Sequence, residues 1–274
     1  MSHPTIAASA AELSGVANRL RFEVTRMIAR ARSCHVGSCL SVMDILVALY
    51  GGVMRRGADP DGRDRMILSK GHAAAALYAV LAEYGYFPAP RLEQYLEDGS
   101  PFIAHTNTFG IPGVEFSTGS LGHGLAVANG IALAGRMRGQ SHRVFVVLSE
   151  GDCQEGSTWE AAMFAAHHQL SSMVCIVDHN KIQNYGRVDE VFGLAPLDAK
   201  WQAAGWAARN VDGHDMAALV ETLTAAPFEP GRPSALIAHT VKGKGVSFME
   251  DQLKWHYQTP TADDVEAARR ELMS

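Results

Sequence analysis

Val144-Phe145-Val146-Val147-Leu148, followed by Ser149-Glu150-Gly151-Asp152-Cys153-Gln154-Glu155-Gly156, is the stretch that decides the fold of this chain. An unbroken apolar run rich in valine, ended by a polar loop with glycines, spells a strand buried on both faces. Ser157 to His168 then reads as a helix, and Met173-Val174-Cys175-Ile176-Val177 as a second buried strand. Strand, loop, helix and strand follow one another within about 35 residues, so the two strands run parallel and the helix is their crossover.

The pattern extends in both directions. Leu13 to Arg32 carries Leu13, Val16, Leu20, Val24, Met27 and Ile28 at helical spacing with arginines between them, which predicts an amphipathic helix. A break at Ser33 to Ser38 leads to a helical stretch at Val42 to Tyr50. A polar loop at Gly57 to Asp64 precedes a short strand at Arg65 to Leu68, and an Ala-rich helix follows His72 and runs through Leu81. Pro88, Pro90, Pro101 and Pro112 mark a loop-rich middle with one helix near Arg91 to Glu97. Leu121 to Arg138 reads as a helix of small residues. Trp206 to Val211, Met216 to Thr224 and Ser234 to Thr240 repeat strand, helix and strand, and Ala262 to Leu272 forms a charged helical tail. The expectation is one α/β domain over residues 1–274, a mostly parallel sheet between two helical layers, with residues 262–274 as the tail.

Composition narrows the class. Over 274 residues, 24 Lys and Arg against 29 Asp and Glu give a formal charge of −5, the wrong sign for a nucleic-acid partner. A 47% hydrophobic and 19% charged chain has enough apolar surface for a large core. Met1 to Ala11 lacks a basic stretch followed by an apolar one, and no uncharged apolar run of roughly 18 residues occurs, so neither leader nor membrane span is expected. Four scattered cysteines (Cys34, Cys39, Cys153, Cys175) fit reduced thiols, and a cytoplasmic protein is the expectation.

In an open parallel sheet, ligands sit beyond the carboxyl ends of the strands. Here those ends lead into Ser149 to Gly156 and into Asp178-His179-Asn180-Lys181-Ile182. Carboxylates, an amide and a backbone carbonyl are the ligands a hard cation such as Mg²⁺ takes, with phosphate and water completing its shell. The glycines and the start of the next helix favour a phosphate. The spacing predicts a metal-diphosphate site. A nicotinamide or flavin nucleotide, or a plain glycine-rich turn, remains open at this level, although neither G-x-G-x-x-G at a strand-to-helix turn nor a P-loop word is present.

Histidine tilts the balance. There are twelve, and several lie beside glycine in loops: Cys34-His35-Val36-Gly37, Lys70-Gly71-His72 and Gly122-His123-Gly124, with Trp255-His256 near the end. Imidazoles gathered around one cleft suit proton transfer to a polyol or carbonyl substrate. His3, His142, His167 and His168 read as surface or cap residues. Zinc ligation by Cys34, His35 and Cys39 lacks a second Cys/His pair. Trp201 and Trp206 read as core packing, and Asp212-Gly213-His214-Asp215 as a turn with a helix cap. Lys242-Gly243-Lys244-Gly245 is open between a phosphate contact and a solvated loop.

Together these words resemble the N-terminal, diphosphate-binding subunit of a split transketolase, from about Leu13 to Pro260. The family's G-D-G with Asn thirty residues on is matched by Ser149-Glu150-Gly151 with Asn180, in a register supported by Glu155-Gly156 and Trp159-Glu160-Ala161-Ala162. The resemblance implies the thiamine-diphosphate-binding fold, with Glu150, Asn180 and the carbonyl of Ile182 as metal ligands. Glu replaces Asp, which leaves Asp152 as the alternative ligand, and His179 replaces the usual Asn or Asp.

The histidines carry over by their local words. Ser33-Cys34-His35-Val36-Gly37 matches S-G-H-P-G, and Leu68-Ser69-Lys70-Gly71-His72 matches L-S-x-G-H. His105 stands before Pro112-Gly113-Val114-Glu115, where the family has its G-H-P histidine, and His256 matches the last family histidine. The resemblance makes His35, His72, His105 and His256 catalytic. It assigns cofactor binding to His72, Gly119, Ser120, Leu121, Gly151, Glu155, Asn180 and His256, with Leu121 against the cofactor rings and His123 in place of the usual Gln.

The implied activity is thiamine-diphosphate- and Mg²⁺-dependent transfer of a two-carbon ketol unit from a ketose phosphate to an aldose. In the family, a glutamate on a second α/β domain completes the cofactor site. This chain stops at Ser274, so the resemblance implies half an active site, completed by a separate chain carrying the pyrimidine-binding and C-terminal domains, as a two-plus-two tetramer without turnover alone. Within the cofactor class the alternatives are the alpha chain of a 2-oxo acid dehydrogenase, which the histidine set opposes, and a deoxyxylulose-phosphate-synthase-like enzyme, which the chain length opposes. From another class, a non-catalytic remnant would serve as a binding or scaffold protein. The departures at Glu150, Thr106 and His123 leave the donor sugar open, including branched or modified ketose phosphates.

Overall fold

The structure is a computed structural model that describes residues 8–274 except 58 and 60; the reading of the first seven residues, with His3, lies outside it. In chain order, helices α1 (Ala10–Arg30) and α2 (Val36–Ala48) precede strand β1 (Arg65–Leu68) and helix α3 (Ala74–Glu83). Helix α4 (Gly124–Met137) leads to β2 (Val144–Ser149), the short α5 (Glu150–Cys153), α6 (Gly156–His167) and β3 (Met173–His179). Helices α7 (Val188–Phe192) and α8 (Leu197–Ala203) are followed by β4 (Ala207–Asp212), α9 (Met216–Thr224), β5 (Ser234–His239) and α10 (Ala262–Leu272).

The strands form one sheet in the order β1-β2-β3-β5-β4, and every pairing is parallel. Side chains on a strand alternate between its faces, and the two cores follow that alternation. Phe145, Val147, Val174, Ile176, Leu236 and Ala238 pack under α1, α2, α3 and α9. Val144, Val146, Leu148, Cys175, Val177 and Ile237 pack under α4, α6 and α8. The result is the three-layer α/β/α arrangement, with the loops after β2 and β3 side by side at the middle of the sheet.

Several boundaries differ from those read in the sequence, for local reasons. Helix α2 begins at Val36, six residues before the expected start, because all of its residues are buried and no amphipathic stripe marks its first turns. It continues as a π-helical turn at Leu49–Val53. That 18-residue run is apolar enough by composition to cross a membrane, yet 83% of it is buried inside the fold. The helix expected near Arg91 is a 3₁₀ segment, Ala89–Gln94, with Pro90 in its first turn. Helix α4 starts at Gly124 because Gly122 takes a φ of +80°, a left-handed residue that ends any helical run. The loop after β2 contains α5, whose start is held by a capping box between Ser149 and Asp152.

Trp201 and Trp206 are fully buried with rings 5.0 Å apart, and Asp215 caps α9 by accepting from the Ala218 amide, both as expected. His142 is a correction. It is buried rather than on the surface, its ring fitting against Gly135, where a Cβ would stand 2.5 Å from Cε1. The four cysteines are free thiols.

Candidate active site

A cavity of about 420 Å³ opens where β2 and β3 end. Into it the fold brings His35, His72, His105, Gly119, Leu121, Glu150, Gly151, Glu155, Asn180, Ile182 and His256, residues drawn from words spread over more than 220 positions of sequence. Ser120 is the exception among the expected site residues: it is exposed and lines an adjoining cavity shared with His105 and Gly119.

His35 occupies the N-cap of α2 with a left-handed backbone (φ +69°), and its amide donates to the carbonyl of His256 at 2.8 Å. This turn places the imidazole 5.2 Å from that of His72 and 5.0 Å from that of His256, centre to centre, with His105 at 6.2 Å. His72 Nε2 lies 3.2 Å from Ser38 Oγ. Gly119 lets the loop close over His105, since a Cβ there would stand 3.0 Å from the ring.

Burial is the main reason these imidazoles resist a proton, and the nearby Lys70 and Lys242 add to it at three of them. His35 is held down to about 4 and His256 to about 3, His72 lies well below its ordinary value, and burial alone lowers His105. The cluster is therefore neutral at physiological pH, able to donate and to accept hydrogen bonds.

Of the three acidic residues that follow β2, Glu150 and Asp152 were the alternative ligands, and the structure separates them. Asp152 is fully buried and saturated: Oδ1 accepts from Ser69 Oγ (2.6 Å) and the Gly122 amide (2.9 Å), and Oδ2 from the amide and hydroxyl of Ser149 (both 2.8 Å). It ties the loops after β1 and before α4 to the end of β2. Glu150, like Glu155, lines the cavity. Its Oε2 accepts from the Lys181 amide at 2.6 Å, and its Oε1 lies 2.6 Å from His179 Nδ1, a contact that raises the pKa of His179.

Asn180 presents Oδ1 beside the Ile182 amide (3.2 Å), while its Nδ2 donates to Ser41 Oγ (3.2 Å). Glu150, Asn180 and Ile182 thus line one cavity, and between them they have a carboxylate, an amide oxygen and a backbone carbonyl. Among the described residues, no group of three or more His, Cys, Asp or Glu side chains is set to hold a metal by itself.

Other residues of the site were missed in the sequence. Lys70 and Asp178, both fully buried, form an ion pair beneath the cavity; burial alone would raise the carboxyl of Asp178, but Lys70, Thr240 and Ser41 outweigh it and hold it low. Lys70 stood inside the Leu68 to His72 word, yet nothing in its spacing marked it as buried. Lys242 resolves the open reading of its loop: it is 1% exposed, its Nζ donates to the Ile182 carbonyl at 3.0 Å and lies 2.9 Å from His256 Nδ1. Burial, then Lys70, bring its pKa down to about 7. With Lys242 as donor, His256 accepts at Nδ1 and carries its hydrogen on Nε2.

Residues 13–273 match the family described as transketolase, thiamine diphosphate binding domain. The chain is 37% identical over 264 residues to an apulose-4-phosphate transketolase subunit of Phocaeicola vulgatus, covering 95% of this chain and 93% of that one. It is equally identical, over 95% of its length and 96% of the relative's, to a 6-deoxy-6-sulfo-D-fructose transketolase subunit of a Clostridium species. The solved transketolase of Campylobacter jejuni superposes with a TM-score of 0.90 at 28% identity, over 97% of this chain and 43% of that longer one. A family match over residues 13–273, with relatives 37% identical over 93–96% of their own lengths, places this chain in the transketolase family as its thiamine diphosphate binding domain.

Proposed function

We propose that this subunit holds Mg²⁺ and the diphosphate of thiamine diphosphate at the ends of β2 and β3 and handles protons during two-carbon ketol transfer from an anionic ketose, in the first place a ketose phosphate, to an aldose. The observation that carries the reading is the convergence of four neutral imidazoles on the cavity that Glu150, Asn180 and Ile182 also line. The donor set fits the cofactor. A carboxylate, an amide oxygen and a carbonyl suit Mg²⁺, which keeps room for phosphate oxygens, while Lys242 and the glycines at 151 and 156 suit the diphosphate.

Glu150, Asn180 and Ile182 are the proposed metal ligands, with Asp152 as the brace of their loop rather than a ligand. Gly151, Glu155, His72 and His256 border the diphosphate, and Gly119, Ser120 and Leu121 the rings. Thiamine diphosphate supplies the electron sink that the carbon-carbon step requires. His35, His72, His105 and His256, neutral and close together, hydrogen-bond the hydroxyls and carbonyl of the sugar and move their protons.

Residues 1–274 act as one diphosphate-and-metal domain ending in the helical tail 262–274. It works in the cytoplasm with a C-terminal subunit that carries the pyrimidine-binding domain, in a two-plus-two assembly. One relative is named for apulose 4-phosphate and the other for 6-deoxy-6-sulfo-D-fructose, so the donor class shared with them is a ketose bearing a terminal anion. The test is ketol transfer by the purified chain with and without its C-terminal partner. Turnover only in the mixture, dependent on Mg²⁺ and thiamine diphosphate, supports the reading; turnover by this chain alone overturns it.

A further inference from the structure

The turn Asp212-Gly213-His214-Asp215 does more than cap α9. His214 Nε2 lies 2.8 Å from the backbone nitrogen of Val241, which can only donate, so Nε2 is the acceptor and the ring hydrogen is on Nδ1. Nδ1 lies 2.7 Å from Asp44 Oδ2, the oxygen that also accepts from Arg21 Nη2. Asp44 and Arg21 are both nearly inaccessible, and Arg21 Nε is fixed on the Leu40 carbonyl at 3.1 Å. A buried ion pair between α1 and α2 therefore sets the tautomer of a histidine that grips the loop after β5.

That loop carries Lys242. Its backbone is pinned on both sides: Val241 by His214, and Gly243 by donation to the Gly37 carbonyl at 3.0 Å. The turn reaches the loop because residue 213 has no side chain; a Cβ there would stand 2.4 Å from Thr240 Cγ2.

We propose that His214 is a positioning residue for the active site: with its proton fixed on Nδ1 by Asp44, it receives the Val241 amide at Nε2 and sets where Lys242 enters the cavity to meet Ile182 and His256. The consequence for cofactor affinity rests on the reading of that cavity given above, whereas the grip itself does not.

Three variants of the full chain test this: His214→Phe keeps the ring volume without an acceptor, His214→Gln returns an acceptor near the Nε2 position, and Asp44→Asn removes the group that selects the tautomer. Nitrogen NMR of the wild type is expected to show a protonated Nδ1 and a bare Nε2 on His214. Hydrogen exchange at the Val241 amide is expected to accelerate about tenfold or more in His214→Phe and Asp44→Asn, with the amides of β5 unchanged and His214→Gln near wild type. Affinity for thiamine diphosphate with Mg²⁺, in the complex with the partner subunit, should fall about 10- to 100-fold in step with that exchange and recover in His214→Gln. A bare Nδ1 in the wild type, or unchanged Val241 exchange in His214→Phe, overturns the grip. Faster exchange with unchanged affinity overturns the positioning role. A wild-type complex that binds no thiamine diphosphate overturns the functional reading instead, while NMR and exchange still judge the grip. If His214→Phe does not fold, His214→Gln against Asp44→Asn decides the same points.

Discussion

Glu150 and His179 meet at 2.6 Å, Oε1 to Nδ1, across the adjacent ends of β2 and β3. The sequence departs from the family pattern at both positions, and the two departures touch. The longer carboxylate contacts this imidazole through one oxygen and accepts from the Lys181 amide at the other, in the same cavity lining as Asn180.

Glu150 and Asp152 should therefore respond differently to truncation. Asp152→Ala strips an acceptor from Ser69, Gly122 and Ser149 inside the fold, and at about 1–3 kcal/mol for each stranded donor the loss is about 3 kcal/mol or more. Glu150→Ala should cost on the order of 1 kcal/mol, yet abolish the Mg²⁺ dependence of cofactor binding. Urea unfolding of the free chain and calorimetric titration of the complex read the two effects. Equal stability losses with metal dependence retained in Glu150→Ala would reverse the assignment.

Asn180→Ala should weaken Mg²⁺-dependent thiamine diphosphate binding by on the order of 100-fold, as loss of a metal-site group does. Its Nδ2 also donates to Ser41, so a modest drop in thermal midpoint is expected as well. Unaltered cofactor affinity, measured by titration calorimetry on the partnered enzyme, would count against the metal site.

Acid should destabilise the fold through the histidine cluster. Burial, with Lys242 and Lys70 nearby, holds His35 at about 4 and His256 at about 3 in the folded chain, against about 6.5 in the unfolded one. Between those values the unfolded state binds the extra protons, so the stability is complete above about pH 6.5 and drains away as pH falls toward 4 and then 3. Urea midpoints at pH 7 and pH 4.5 should differ more for the wild type than for the His35→Gln, His256→Gln double variant. An identical pH dependence in the two would show that the cluster does not contribute.

Gly243 has a φ of +82°, and a Cβ there would stand 2.3 Å from the Met249 carbonyl oxygen. Gly243→Ala combines the left-handed penalty of about 1–2 kcal/mol with a backbone clash. It should lower the thermal midpoint by several degrees and displace Lys242 from His256. A calorimetric scan checks the first effect and cofactor affinity the second.

How much of this was legible beforehand depended on how each feature is encoded. The strands Val144–Ser149 and Met173–His179 announced themselves as apolar runs ended by polar loops, and from their ends the position of the cavity followed. Helix α9 and helix α10 matched their readings because each has one wet face. Helix α2 did not, because full burial erases periodicity. Choosing between Glu150 and Asp152 needed the hydrogen-bond partners of each carboxylate, and those come from loops before α4 and after β3. The reading of Lys242 stayed open between a phosphate contact and a solvated loop because its partners, His256 and Ile182, lie 14 and 60 residues away in sequence. His142 was misjudged for another reason: its ring lies against the bare backbone of Gly135, and a residue without a side chain gives no apolar signal of a packing partner. Side-chain environment made by non-local packing is what the linear pattern does not carry.

On the function proposed above, this chain contributes one half of a thiamine diphosphate active site. Native mass spectrometry of the assembly captured from its source cell through this chain tests it most directly. The account predicts a second chain of similar or slightly larger mass, arriving with thiamine diphosphate and Mg²⁺. The chain arriving alone or self-associated, without the cofactor, would contradict it.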